Sequence, residues 1–281
     1  MDQPSNPPLT GYCVDLLHRG GQALLGETKT VVGEQLTRFV FLHGAWHRSW
    51  CWERVRPILV GAGHEVATVD LPGGDPSAGV MDYVAVIEKA IEAPLNNVVL
   101  VAHSAAGLAA SVVARRLALR ELVLVAAFLP QRGVSVNERI SGGEGMFVDA
   151  WGPVFAGMPR DEFGGTTSTL DIAQEFFYRD CSVDDIRATV LPRLEVERAT
   201  KLFSEPIPLP EKRLTPSRYV VCTADQALSP EWSREAAGQF CDEVVEIDAG
   251  HSPFWSKPDE LSRLLIGPAA QLASEQNAAG G

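Results

Sequence analysis

Short apolar runs recur along the chain, separated by stretches with helical periodicity. Arg38-Phe39-Val40-Phe41-Leu42 reads as a strand, as do His64 to Val69, Val98 to Val101 and Glu121 to Phe128. Trp50 to Val60, Val80 to Ile91 and Leu108 to Leu117 read as helices, and Gly61 and Gly63 stop the first of them. The strands are nearly continuous apolar runs rather than alternating ones. Strands covered by helices on both faces have that character, and the strand–helix order predicts a parallel sheet, an α/β fold.

The rhythm breaks near residue 130. Residues 131–210 contain no convincing strand and are rich in glycine, proline and aromatic residues such as Phe147, Trp151, Phe176 and Phe177. They predict a helical insertion packed over the sheet; a second small helical domain is the alternative. The insertion is preferred because strands resume afterwards, at Arg218 to Asp225 and Asp242 to Ile247, with helices over Pro230 to Gly238 and Pro258 to Leu265. The expected organisation is an N-terminal extension without one clear pattern (1–36), a first core segment (37–130), a helical cap (131–210), a second core segment (211–270) and a disordered tail (271–281). Within the extension, Glu27 to Val32 alternates like an edge strand.

Composition narrows the function classes. A chain of 281 residues suits one large α/β domain with a sizeable core. Its net charge of −12 argues against nucleic acid and anionic membranes as partners, since both repel an acidic surface. No stretch is apolar enough to span a bilayer, and the first residues lack the basic start and apolar core of a signal peptide. The five cysteines are scattered, odd in number and without C-x-x-C spacing, so a reducing, cytoplasmic setting is expected. No phosphate-binding glycine pattern, dinucleotide fingerprint or metal cluster appears, so no cofactor and no metal is expected. Gly142-Gly143-Glu144-Gly145 reads as a flexible loop. The expected partner is a small-molecule substrate; a homodimer is left open.

The candidate chemistry centres on Val98-Val99-Leu100-Val101-Ala102-His103-Ser104-Ala105-Ala106-Gly107, a strand, a sharp turn with a hydroxyl at its apex, then a helix. A Gly-x-Ser-x-Gly turn presents a nucleophilic serine in this way; here Ala102 and Ala106 stand at the glycine positions. Taken alone, the stretch fits an ordinary serine-capped helix equally well. Context changes that balance. In a parallel sheet ligands bind beyond the carboxyl ends of the strands, where His43, Ser104, Asp225 and His251 all fall. A serine needs a base, and the base needs an acid to fix its tautomer. His251, in a turn after the last strand, is the preferred base and Asp225 the preferred acid; Asp70 and Asp248 are the rivals. The backbone N–H groups of Ala105 and Ala45 are the expected oxyanion donors, with Trp46 as the neighbour Ala45 is most easily confused with, and Gly44 is read as permitting a sharp turn. His43, Trp46, His103 and Phe128 are the expected substrate-binding residues, with a structural role as the alternative for the two histidines that flank the site. His18, His47 and His64 have no supporting context.

With these residues in place the chain resembles the α/β-hydrolase superfamily, in the branch of small bacterial esterases, methyl-salicylate-type esterases and α/β-fold hydroxynitrile lyases. The resemblance rests on Phe41 to Trp46 with Trp50-Cys51-Trp52, Ala102 to Gly107, Phe177-Tyr178-Arg179-Asp180-Cys181, Cys222 to Asp225 and Asp248 to Phe254. It implies a Ser104–His251–Asp225 triad, an oxyanion hole from Ala45 and Ala105, and a helical cap inserted after the sixth-strand equivalent. The chain departs from the pattern at both elbow alanines, in its first forty or so residues and through most of the cap. The lyases carry a hydroxylated residue after His-Gly and a lysine after the histidine, where this chain has Ala45 and Ser252. The function expected is therefore hydrolysis of a carboxylic ester of a mainly apolar small molecule. A lyase or cyclisation catalyst using the same site is the alternative, and a binding protein with a dead triad is disfavoured by the intact Ser, His and Asp.

Overall fold

The computed structural model describes residues 36–91 and 94–267. The expectations for 1–35 and for the tail lie outside the described residues. Six parallel strands form one sheet: β1 (Arg38–Leu42), β2 (Glu65–Val69), β3 (Val98–His103), β4 (Glu121–Val125), β5 (Ser217–Cys222) and β6 (Glu243–Ile247), in the order β2-β1-β3-β4-β5-β6. The apolar runs follow this layout. Every residue of β3 and β5 is buried, whereas the edge strands β2 and β6 bury only their last residue. The register sets Leu42 beside Ala102 and His103 beside Val125, so the chain leaves β1, β3 and β4 at one level.

Helices α1 (Arg56–Gly61), α2 (Val80–Ala90) and α3 (Gly107–Arg116) connect the strands, and α2 packs on α3. The single helix expected over Trp50 to Val60 is two pieces, a 3-10 turn at Ser49–Trp52 and α1. Pro57 is the reason: without an N–H it fits a first turn and interrupts a helix interior. The apolar run expected to continue as strand to Phe128 leaves the sheet after Val125, where Ala126 takes a φ of 41° and Phe128 N–H turns back to the Ser104 carbonyl at 3.0 Å.

Between β4 and β5 the chain forms short helices, among them Val136–Ser141, Trp151–Gly157 and Thr200–Ser204. Two turns are wound wide, Ala173–Phe177 and Ile186–Val190; the first closes with Tyr178 N–H on the Ala173 carbonyl. Trp151 lies within 6.2 Å of the rings of Trp46, Phe147, Phe176 and Phe177, which joins this segment to the loop after β1. Among the described residues no helix is long and apolar enough to cross a membrane.

Candidate active site

Three chain segments that leave the sheet at its carboxyl end meet at Ser104. The end of β3 turns so tightly that Ser104 adopts a φ of 51°, and Ala105 and Ala106 complete a 3-10 turn before α3. Such a φ is costly for a residue with a Cβ, by about 1–3 kcal/mol. His251, in the loop after β6, brings Nε2 to 3.1 Å from Ser104 Oγ, and its Nδ1 lies 2.7 Å from Asp225 Oδ2. Asp225 accepts only, so Nδ1 carries the proton and Nε2 is free to accept from the serine hydroxyl. All three side chains are buried, at 7%, 4% and 2% exposure for Ser104, His251 and Asp225.

The supports of this chain of bonds are built in. Asp225 Oδ1 accepts the N–H groups of Ala227 and Leu228 at 2.7 and 3.1 Å, so the carboxylate cannot swing away. The loop of His251 is held by Gly250 N–H on Asp180 Oδ2, at 2.9 Å, and by His103 Nε2–H on the His251 carbonyl, also at 2.9 Å. The rivals are placed elsewhere. Asp70 accepts Ser49 N–H at 2.7 Å, and Asp248 faces Thr223.

A cavity of about 600 Å³ opens over Ser104, and Ala45, Ala105 and His251 line it as well. Trp46, Phe128, Phe147, Trp151, Phe177 and Leu228 make its walls largely apolar. Among the described residues, the N–H groups of Ala45 and Ala105 have no hydrogen-bond partner. The Trp46 N–H, by contrast, donates to Glu197 Oε2 at 3.3 Å.

Two expectations for substrate contact are corrected. His43 does not line the cavity: its Nε2 accepts Leu71 N–H at 2.9 Å and its Nδ1–H donates to the Gly44 carbonyl at 2.8 Å, so the ring is a brace between two loops. His103 is turned under the site against His251 and Phe254, with ring centroids at 4.7 and 4.9 Å. Burial lowers the pKa of His43 to about 4 and holds that of His103 well below the usual value, so both rings are neutral. Trp46 and Phe128 do line the cavity.

The glycine logic also shifts. Gly44 is required for close approach rather than for a turn, because a Cβ there would lie 2.8 Å from both His103 Nδ1 and Ser104 Cβ. The left-handed backbone of that loop is at Trp46, with φ 62°. Behind the serine the critical glycine is Gly107, whose added Cβ would lie 2.4 Å from the Phe128 carbonyl oxygen.

Two contributors had no signal in the sequence. His47 bridges Ala45 and the cap: its Nδ1–H donates to the Ala45 carbonyl at 2.7 Å, and its Nε2 accepts the Tyr178 hydroxyl at 2.6 Å. Its pKa is lowered to about 3 by burial. Glu197 comes from the cap, and nothing in its surrounding residues announces it.

A model of the alpha/beta hydrolase family matches residues 39–264. The chain belongs to that family. Methylesterase 7 of Arabidopsis thaliana is 27% identical to this α/β-hydrolase over 255 residues, covering 84% of this chain and 97% of that protein. Methyl jasmonate esterase 1 of Vitis vinifera is 28% identical over 246 residues, with 81% and 94% covered. Among solved structures, polyneuridine aldehyde esterase aligns with a TM-score of 0.70 at 21% identity, over 83% of this chain and 98% of that one. The pyrethroid hydrolase PytH aligns with a TM-score of 0.65 at 22% identity, over 85% and 98%. These two likenesses show the fold, a parallel sheet flanked by helices.

Proposed function

We propose that this α/β-hydrolase is a carboxylic ester hydrolase that works through an acyl-enzyme on Ser104. The observation that carries the reading is the buried chain of bonds from Asp225 through His251 to Ser104, at 2.7 and 3.1 Å, opening on an apolar cavity. Ser104 Oγ attacks the ester carbonyl as His251 Nε2 takes its proton. Asp225 keeps His251 in the required tautomer and stabilises the imidazolium. The N–H groups of Ala45 and Ala105 receive the oxyanion, where charge develops. His251 returns the proton to the leaving alcohol and then activates water, which releases the acid and frees the serine.

The substrate is a small, mainly apolar ester, because aromatic walls offer area and few polar anchors. The names of the relatives, a methylesterase and a methyl jasmonate esterase, support methyl esters as the first class to try. Ser252 after His251 leaves no lysine there to stabilise a departing cyanide, which favours hydrolysis over the lyase reading. The reading needs no nucleic acid, membrane or cofactor. A reducing compartment fits the described cysteines, which are free thiols.

The test combines labelling and turnover. An active-site serine phosphonate should label Ser104, and Ser104→Ala should lower kcat/KM for short aryl and methyl esters by about 10³-fold or more. A protein that is neither labelled nor active on any such ester overturns the reading. So does Ser104→Ala with wild-type turnover, which points to a non-covalent route.

A further inference from the structure

Ala45 is flanked by two peptide units carrying four hydrogen-bonding groups, and three of these are used inside the protein. The Gly44 carbonyl accepts His43 Nδ1–H at 2.8 Å and His47 N–H at 3.4 Å. The Ala45 carbonyl accepts His47 Nδ1–H at 2.7 Å. The Trp46 N–H, on the other end of that same peptide, donates to Glu197 Oε2 at 3.3 Å. Among the described residues, only the Ala45 N–H is left for a ligand. The next residue, Trp46, sits at φ 62°, a conformation a tryptophan does not hold without support. That support comes from the cap: Glu195 N–H donates to the Trp46 carbonyl at 2.8 Å, and the indole N–H donates to the Thr166 carbonyl and hydroxyl, each at 3.1 Å.

We infer that Glu197 is a positioning residue: its carboxylate, inserted from the cap, holds the Ala45–Trp46 peptide so that the Ala45 N–H points at the reacting carbonyl. The inference rests on the acyl-enzyme reading above. Glu197 accepts from two donors, not one. Oε2 takes Trp46 N–H while Oε1 takes Ala199 N–H at 3.0 Å, and Gly73 packs so close that a Cβ there would lie 2.7 Å from Oε2. Thr166, which accepts the Trp46 indole N–H, is itself tied to Glu197 by backbone hydrogen bonds exchanged at 2.9 and 3.0 Å. The oxyanion donor is thus set by the docking of the cap on the core.

The geometry makes the donor sensitive to the charge on Glu197, since a protonated carboxyl loses one acceptor to its own hydroxyl. Burial pushes Glu197 up to about 7, against the pull of its two N–H donors and of the Arg48 guanidinium. Arg48 is itself engaged by Glu195 at 2.5 Å, Arg198 is paired with Asp161 at 2.6 Å, and Tyr83 of α2 is kept neutral by burial and by the charge of Glu197.

The experiment measures steady-state kinetics of Glu197→Gln, Glu197→Asp and wild type between pH 5 and 9, with phosphonate labelling of Ser104 in wild type run first. Failure of that labelling fails the acyl-enzyme reading and is seen before any variant is compared. With labelling in place, Glu197→Gln, which supplies one acceptor where two are needed, should lose about 100-fold in kcat with KM within about twofold. The acid limb of log kcat/KM should be less steep in Glu197→Gln than in wild type, because the carboxylate whose protonation removes an acceptor is gone. Glu197→Asp, which keeps both acceptors, should retain more activity than Glu197→Gln. A folded Glu197→Gln with wild-type kcat overturns the inference, and so does a change confined to KM. If Glu197→Gln does not fold, Gly73→Ala takes its place, because its Cβ would lie 2.7 Å from Oε2 and displace the carboxylate; wild-type kcat in that variant overturns the inference.

Discussion

Ala102 and Ala106 occupy the places where a serine elbow carries glycines, and the backbone shows why alanine serves. Ala106 has φ −62° and ψ −21°, helical values at which glycine holds no advantage, and Ala102 is an ordinary buried strand residue paired with Leu42. The strain is concentrated at Ser104 itself, and the steric demand falls one residue further on, at Gly107. Gly107→Ala should therefore lower stability by about 1–3 kcal/mol and push the Phe128 carbonyl, reducing activity. Ala106→Gly should cost about 0.5–1 kcal/mol through backbone entropy and leave kcat/KM unchanged. Urea unfolding and ester kinetics on the two variants check this; equal effects would contradict the assignment of the close approach to Gly107. The motif was legible as a serine between small residues. Which small residue is indispensable was not, because that depends on where the Phe128 carbonyl passes, more than twenty residues along the chain.

The cap shows the same division at the scale of an element. Its aromatic content was visible in the sequence and implied an apolar pocket, yet its short helices, wide turns and contacts with the β1 loop were not, since no regular period runs through it. Trp151 is the hub, packed edge-on to Phe176 at 5.1 Å and lying 5.6 Å from Phe177. It also lines the cavity. Trp151→Ala should cost about 3–5 kcal/mol through the void it leaves and shift preference toward bulkier esters. Ratios of kcat/KM across esters of rising acyl size give the readout; an unchanged ratio would show that Trp151 faces the core and not the substrate. The broken helix after β1 is a smaller instance: periodicity ran through Trp50 to Val60, and Pro57 overrode it.

At the scale of the whole molecule, buried histidines set the response to acid. His43 and His47 are lowered from 6.5 to about 4 and about 3, and His103 is lowered in the same direction. Below pH 6.5 the unfolded chain binds protons on these rings that the folded chain refuses, so each removes roughly 1.4 kcal/mol per pH unit as acid is added. Glu197 acts in the opposite sense. Raised from 4.5 to about 7, it takes a proton in the folded state first and gains stability as pH falls through that window. Three histidines against one carboxyl leave a net loss between pH 6.5 and 4.5. The ion-paired carboxylates Asp161 and Asp185, whose pKa values are lowered from 3.8, add their loss only below that range. Tm should fall steadily from pH 6.5 to 4.5, and His47→Asn, which keeps a donor toward the Ala45 carbonyl without a titrating ring, should flatten the slope. A Tm independent of pH across that window would contradict the burial of these rings as neutral groups.

The sequence by itself determined the parallel sheet, the order of strands and helices, and the identity of Ser104, Asp225 and His251 as the residues beyond the strand ends. Those features are local: apolar runs, turn residues and their order along the chain are all that they require. Tertiary structure alone decided what His43, His47 and His103 do, because a ring beside a site in sequence points wherever its partners hold it. It alone decided that Gly107 and Gly44 are the close approaches, and that a glutamate 151 residues from Trp46 holds the loop of the proposed oxyanion donor. Such contacts join segments with no shared period, so no pattern within either segment encodes them.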